Sequence, residues 1–321
     1  MTMHPDMQII IDANHATTAE LGDRGDSPEA GRLWWRTYTA RLGRPPPADM
    51  HIHDRTIPTP DRDVPVRVYR PAGPDGPRPC IIYMHGGGFR LGDLDSSDSN
   101  AWGFAEGTGA VVVSIDYRLT PEHPYPAAFN DCYGVLDWIA RQPNDLDLDL
   151  DLDLDLASGR IALAGDSAGG CLGAALCLAA RDRGGPDIAA QALIYPVTEL
   201  AEDHPSYSEN EHAPGLTTEL MRIYRDLYLP GDRNSTDPYA RPAQASDFAS
   251  LPPAWIHSAA IDPIRDDGRT YAAKLALAGN CVTYREARGM IHGFMRARFQ
   301  SAAARAEFDA ITSFLSNHLA P

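Results

Sequence analysis

The pentapeptide Gly165-Asp166-Ser167-Ala168-Gly169 joins an apolar stretch, RIALAG (160–165), to a run of small residues, SAGGCLGAALCLAARDR (167–183). A serine hydroxyl is presented as a nucleophile when a tight strand-to-helix turn thrusts it outward, and that turn needs small residues two positions before and two after the serine. An apolar run of strand type leads in; a helix-forming run leads out and stops at Gly184, Gly185 and Pro186. Without that context the same glycines would serve only close packing of a helix on a strand. Upstream, YMHGGGFRLG places His85-Gly86-Gly87-Gly88 at the end of a second apolar run (80–85). Consecutive glycines are entropically costly, which implies a backbone that something approaches closely. Beside a serine nucleophile, that something is the oxyanion of a tetrahedral intermediate. The N–H groups of Gly87, Gly88 and Ala168 are the expected donors, each worth about 3–4 kcal/mol in the transition state. A phosphate-cradling loop would also use glycines, but it needs a Lys in a spacing that is absent here.

A base and an orienting acid must then come from the ends of later strands, in the order Ser, Asp, His. Among eleven histidines, His257 lies within an apolar strand-like run and His318 within the last helix. His292, in GMIHGFM, follows a strand-like segment and sits in a glycine-flanked loop, so it is the expected base. Asp262, in IHSAAIDPIRDDG, directly follows an apolar run and precedes Pro263; it is the expected acid. Asp266 and Asp267 read as first-turn residues of the next helix, where carboxylates suit the helix dipole. Ser167, Asp262 and His292 thus form the candidate catalytic set, with acyl transfer as its chemistry.

The elements that must position these residues alternate between strand and helix from about residue 51, the pattern of a mostly parallel sheet covered by helices. VPVRVYRP (64–71) alternates as an early strand, while CIIYMH (80–85) and AVVVSID (110–116) read as buried central strands. AAFNDCYGVLDWIA (127–140) has helical spacing. IAAQALIYP (188–196), PAWIHSAAI (253–261) and CVTYRE (281–286) complete the strands, and AAARAEFDAITSFLSNHL (302–319) is the closing helix. Two regions fall outside this rhythm. One is residues 1 to about 50, with one short amphipathic helix around EAGRLWWRTYTARLG; the other is about 199–245, containing TTELMRIYRDLYLPGD. Together they suit a small lid, with Trp34, Trp35, Tyr38, Tyr207, Leu216, Leu220 and Tyr224 available as an apolar roof.

The combination HGGGF, DYRLTPEHPYPAAF, GDSAGG, DPIRDDG and HGF resembles the bacterial hormone-sensitive-lipase-type esterases of the α/β-hydrolase superfamily, from DRTIPTPDRDVPVRVYRP (54–71) onward. The resemblance implies an α/β-hydrolase fold and carboxylester hydrolysis, with no metal and no organic cofactor. It places the triad on Ser167, Asp262 and His292 and the oxyanion hole on Gly87, Gly88 and Ala168. It also implies a cap (1–50 and 199–245) interrupting a catalytic core (51–198 and 246–321), and short to medium acyl chains. Trp34, Phe89, Tyr207, Leu216 and Phe294 are the candidate pocket residues. Three positions depart from the family pattern: Cys171 where Asn is usual, Ala260 where many have Glu, and Glu199 where Asp is usual. The same residues would serve amides, thioesters, carbamates or lactones, and a non-catalytic receptor on this fold would be expected to lack a triad member. Asp116, Arg118 and Glu122, in the second motif, are expected to form one buried charged network bracing the serine turn.

A chain of 321 residues, 43% hydrophobic, can bury a large core. Its formal charge of −16 argues against nucleic acid or an anionic membrane as partner. A small-molecule ester is the expected partner, with a homodimer left open. Lys274 is the only lysine and sits on an ordinary helix, so a catalytic lysine is set aside. No CxxC pair occurs among the five cysteines, and with no basic leader and no apolar run long enough to span a membrane, a reducing cytoplasm is expected. The most unusual stretch, DLDLDLDLDLDL (145–156), invites a calcium-site reading, but such sites mix ligand types and use a glycine to turn the loop. Lying between a helix and a strand, it is expected at the amino ends of the strands, away from the reacting side, as a solvated low-complexity insertion.

Overall fold

Apolar runs from the middle of the chain become strands buried on both faces of one sheet. The structure, a computed structural model, describes residues 2–23, 27–73, 76–141, 156–200 and 202–320. Two helices open the chain, α1 (Gln8–Leu21) and α2 (Pro28–Leu42), followed by β1 (His51–Pro58), β2 (Asp63–Arg70) and β3 (Arg78–Met84). Then come α3 (Leu94–Thr108), β4 (Val111–Ile115), α4 (Ala127–Ala140), β5 (Leu156–Asp166), α5 (Ala168–Asp182) and β6 (Ala190–Ile194). After α6 (Pro205–Glu209) and α7 (Thr218–Tyr228), the chain completes the sheet with β7 (Ala254–Ile261), α8 (Arg265–Leu277) and β8 (Val282–Ile291), and closes with α9 (Ala302–Leu319).

The strand order is β1-β2-β4-β3-β5-β6-β7-β8. β1, β2 and β4 pair antiparallel and all later neighbours parallel. Successive residues of β3 feed opposite layers, as a two-residue period requires. Cys80, Ile82 and Met84 join the core under α4, α5 and α8, and Ile81 and Tyr83 join the core under α3 and α9. The two segments expected to form a cap enter both layers. Trp34 and Tyr38 of α2 pack in the second, whereas Met221, Tyr224 and Tyr228 of α7 pack in the first.

Two sequence expectations need correction, and one strand is not among those expected. The first fifty residues hold two long helices, not one: QIIIDANHATTAEL is rich in β-branched residues and buries only Ile10, Ala13 and Thr17, so its helical pattern is weak in sequence. HIHDRTIP forms an edge strand, exposed over much of its length, whose polarity masks it. Asp116, Arg118 and Glu122 do not form one network. Arg118 grips Asp131 of α4 at 2.7–3.0 Å, Glu122 meets Arg32 of α2 at 2.7 Å, and Asp116 shares neither contact. What this segment braces is α2 and the glycine loop: Thr120 donates from its N–H to the Phe89 carbonyl at 2.8 Å, and Arg32 reaches the carbonyls of Thr120 and Arg90.

The Asp-Leu run lies outside the described residues, apart from the backbone of Leu156 at the start of β5. Ser167 follows the other end of that strand, eleven residues on. Shortening the run to one or two dipeptides is therefore expected to leave kcat/KM within about threefold, since loop length is cheap in free energy. Steady-state kinetics of the shortened protein check this, and a tenfold loss would contradict it. Among the described residues no group of His, Cys, Asp or Glu is arranged to hold a metal ion, and no helix is long and apolar enough to cross a membrane.

Candidate active site

Strand register brings the candidate catalytic groups together. Met84 lies beside Gly165 and Asp166 beside Ile194, so the ends of β3, β5 and β6 are level, and the glycine loop after β3 meets the turn after β5. Ile261 pairs with Ile291, which puts the next residues, Asp262 and His292, side by side. His292 Nδ1 is 2.7 Å from Asp262 Oδ2, and its Nε2 is 3.0 Å from Ser167 Oγ. Asp262 is fully buried, and its other oxygen accepts the Ile264 N–H at 3.1 Å. With Nδ1–H donating to the carboxylate, Nε2 carries a lone pair and accepts the serine hydroxyl. The arrangement can move a proton from Ser167 to His292 while Asp262 stabilises the resulting imidazolium.

Ser167 has φ 58° and ψ −116°, a strained conformation for a residue with a side chain, costing about 1–3 kcal/mol. The glycines on either side allow it. A Cβ on Gly169 would lie 1.9 Å from the Met84 carbonyl oxygen, and one on Gly165 would lie 2.2 Å from that of Gly169. Helix α5 begins at Ala168, so the positive end of its dipole faces any charge forming near Ser167. Across from it, Gly87 (φ 134°) and Gly88 (φ 63°) adopt backbone conformations that favour glycine. Gly88 also lies against Tyr224: a Cβ there would sit 2.4 Å from the ring. Gly87, Gly88, Ser167 and His292 all border one cavity. The adjacent His85 is buried and stacked on Tyr117 (centroids 4.3 Å apart), and burial holds its imidazole below the ordinary histidine range.

The remaining walls are apolar: Trp35 of α2, Val197 and Leu200 from the chain after β6, Leu216 just before α7, and Met221 and Tyr224 of α7. Of the expected pocket residues, Phe89 and Leu216 line this space, and Trp34, Tyr207 and Phe294 do not. Neighbouring helical residues point about 100° apart, so α2 can turn only one of its paired tryptophans to the cavity. Trp35 faces it, while Trp34 stacks on Tyr38 at 5.2 Å and donates to Thr18 Oγ1, fastening α2 to α1. Tyr207 is buried in the core. Phe294 is buried edge-on to Tyr195 and His257. Val197, Leu200 and Met221 were not legible because two separate segments supply them, although Met221 and Tyr224 share one face of α7 through their i, i+3 spacing.

The three departures are accommodated locally. Cys171 is buried with its Sγ 3.5 Å from the Ala240 carbonyl, Ala260 is buried, and Glu199 meets His204 at 3.2 Å and Lys274 at 3.6 Å. The neighbouring His204 imidazole is the main reason that the Glu199 carboxyl lies below its usual range. Lys274 is thus engaged in structure, donating also to the Ala243 carbonyl at 2.6 Å. Four cysteines are buried and Cys281 is exposed, all five unpaired.

Comparison with known proteins agrees with this architecture. A family model described as the alpha/beta hydrolase fold matches residues 81–296. Carboxylesterase NlhH of Mycobacterium tuberculosis is 39% identical over 279 residues, covering 84% of this chain and 85% of the relative. Esterase LipI of the same organism is 40% identical, covering 77% of this chain and 76% of the relative. Among solved structures, an ester hydrolase from the Lake Arreo metagenome, complexed with a bipyridine phosphonate derivative, superposes with TM-score 0.89 at 32% identity over the whole of both chains. The hyperthermophilic esterase of Pyrobaculum calidifontis gives 0.85 at 33% identity, covering 99% of each chain. With the fold, the family model and relatives of this identity in agreement, the chain belongs to the hormone-sensitive-lipase-type esterases of the alpha/beta hydrolase fold.

Proposed function

We propose that this protein is a serine carboxylesterase acting on short- to medium-chain acyl esters through an acyl-enzyme, with Ser167, His292 and Asp262 as its triad. The observation that carries the reading is the continuous hydrogen-bonded line from Asp262 through His292 to Ser167 Oγ, ending in a cavity walled by apolar side chains. As Ser167 Oγ bonds to the ester carbonyl carbon, its proton passes to His292 Nε2, and the carbonyl oxygen becomes an oxyanion beside the N–H groups of Gly87, Gly88 and Ala168. Collapse breaks the bond to the alcohol, which leaves with the proton from His292. Water then repeats the attack on the acyl-enzyme and releases the acid, restoring Ser167.

The cavity sets the acyl preference. Trp35, Leu216, Met221 and Tyr224 bound the space beside Ser167, so added methylenes gain burial, about 0.8 kcal/mol each, only until the space is filled. kcat/KM on p-nitrophenyl esters is expected to peak at roughly two to eight acyl carbons and to fall beyond that. A profile still rising at palmitate would contradict a closed pocket. Matched amides, thioesters and lactones belong in the same panel, and higher kcat/KM on any of these than on esters would replace the substrate class while leaving the triad in place.

A further inference from the structure

The groups that border the cavity are tied together by a charged pair that does not. Asp166 immediately precedes Ser167. Its Oδ1 accepts the Gly86 N–H at 2.9 Å and the Tyr83 hydroxyl at 2.6 Å, and its Oδ2 accepts from Arg296 Nη2 at 3.2 Å. Gly86 immediately precedes Gly87 of the glycine loop, and Arg296 lies four residues after His292, in the short turn Phe294–Ala297. The Arg296 guanidinium also sits 4.9 Å from the centre of the Trp35 ring, a cavity wall. Both charged side chains are buried, 7% exposed for Arg296 and 2% for Asp166. One carboxylate therefore touches the serine turn, the glycine loop and the histidine loop, and through Arg296 it reaches the cap.

Resting on the proposed triad, we infer that Arg296 is a positioning residue for the esterase reaction: its bond to Asp166 sets the distance between the His292 loop and Ser167, and its contact with Trp35 fixes the cap wall against them. A buried ion pair is weak evidence for stability in itself, because desolvation offsets much of its attraction. Geometry is where such a tie has leverage, since a displacement of about 1 Å at reacting groups costs up to about a hundredfold in rate. A lysine at 296 keeps the charge but loses the planar fork that spans Asp166 and Trp35.

The test compares wild type, Arg296→Lys, Arg296→Met, the double variant Asp166→Asn with Arg296→Met, and Ser167→Ala on p-nitrophenyl butyrate, well below each melting temperature. Asn at 166 keeps an acceptor for the Gly86 N–H, so the double variant removes the tie to Arg296 without leaving a buried charge unpaired. Arg296→Lys is expected to lower kcat about tenfold with KM within about twofold, as for an interaction made in the transition state. The double variant is expected to melt above Arg296→Met yet show no higher kcat. If the pair were merely structural, activity would return with stability; kcat within about twofold of wild type in the double variant would overturn the inference. If the double variant does not fold, Arg296→Lys decides alone, and an unchanged kcat there overturns it. An active Ser167→Ala would instead remove the triad on which the inference rests, whereas an inert Ser167→Ala beside an unchanged Arg296→Lys would remove only the positioning role.

Discussion

Ser167→Ala is expected to lower kcat on p-nitrophenyl butyrate by at least about three orders of magnitude while leaving the melting temperature within a few degrees of wild type, because triad members act as a unit and the substitution removes one oxygen. The fold gives no reason for a large stability loss. Among the described residues Ser167 Oγ bonds only to His292 Nε2, and the turn is held by backbone, with the Ser167 N–H donating to the Ile194 carbonyl at 2.9 Å. Alanine inherits the unfavourable φ but adds no clash. Thermal unfolding measured beside the kinetics separates loss of chemistry from loss of fold, and a Ser167→Ala protein that keeps a tenth of wild-type kcat would mean that the nucleophile lies elsewhere.

Asp262→Asn is expected to be nearly as damaging, with kcat lowered about three to four orders of magnitude and KM little changed. The reason is the tautomer. Asp262 Oδ2 accepts from His292 Nδ1 at 2.7 Å, whereas an asparagine amide turned toward the ring donates to Nδ1 and drives the ring proton to Nε2. An Nε2–H cannot take the proton of Ser167. Asparagine matches aspartate in volume, and its carbonyl oxygen can still accept the Ile264 N–H, so the buried site stays filled. Steady-state kinetics together with the melting temperature check this. A folded Asp262→Asn enzyme within tenfold of wild type would show that the carboxylate does not set the tautomer.

How much of this was legible in the sequence differs by element, for physical reasons. Strands buried on both faces, such as Cys80–Met84 and Val111–Ile115, announce themselves as continuous apolar runs, and the serine turn does so because only glycine fits beside Met84 and Gly169. Asp262 could be picked because it directly follows an apolar strand, and His292 because it sits in a glycine-flanked stretch after a strand-like segment, although nothing local to either residue reveals that Ile261 and Ile291 pair in register. β1 and α1 were hidden because they bury little. The cavity was half legible: an aromatic-rich cap suggested a roof, but which side of α2 or α7 faces inward is decided by packing that no single segment encodes. Arg296 carried an unread signal, since the two arginines in the otherwise apolar GFMRARF stretch must each be buried with a partner. Its partner, Asp166, lies within the motif already singled out.

The central claim is that Ser167 forms the covalent intermediate, and trapping that intermediate tests it most directly. A fluorophosphonate carries a good leaving group on tetrahedral phosphorus, and an activated serine displaces it to give a stable adduct. After brief exposure of the full chain to the reagent, intact mass should show one added phosphonyl group with activity lost in proportion. Peptide mapping should place it on the segment containing Ser167, and Ser167→Ala should stay unmodified. An adduct on another residue, or full esterase activity in protein whose Ser167 is quantitatively modified, would contradict the claim.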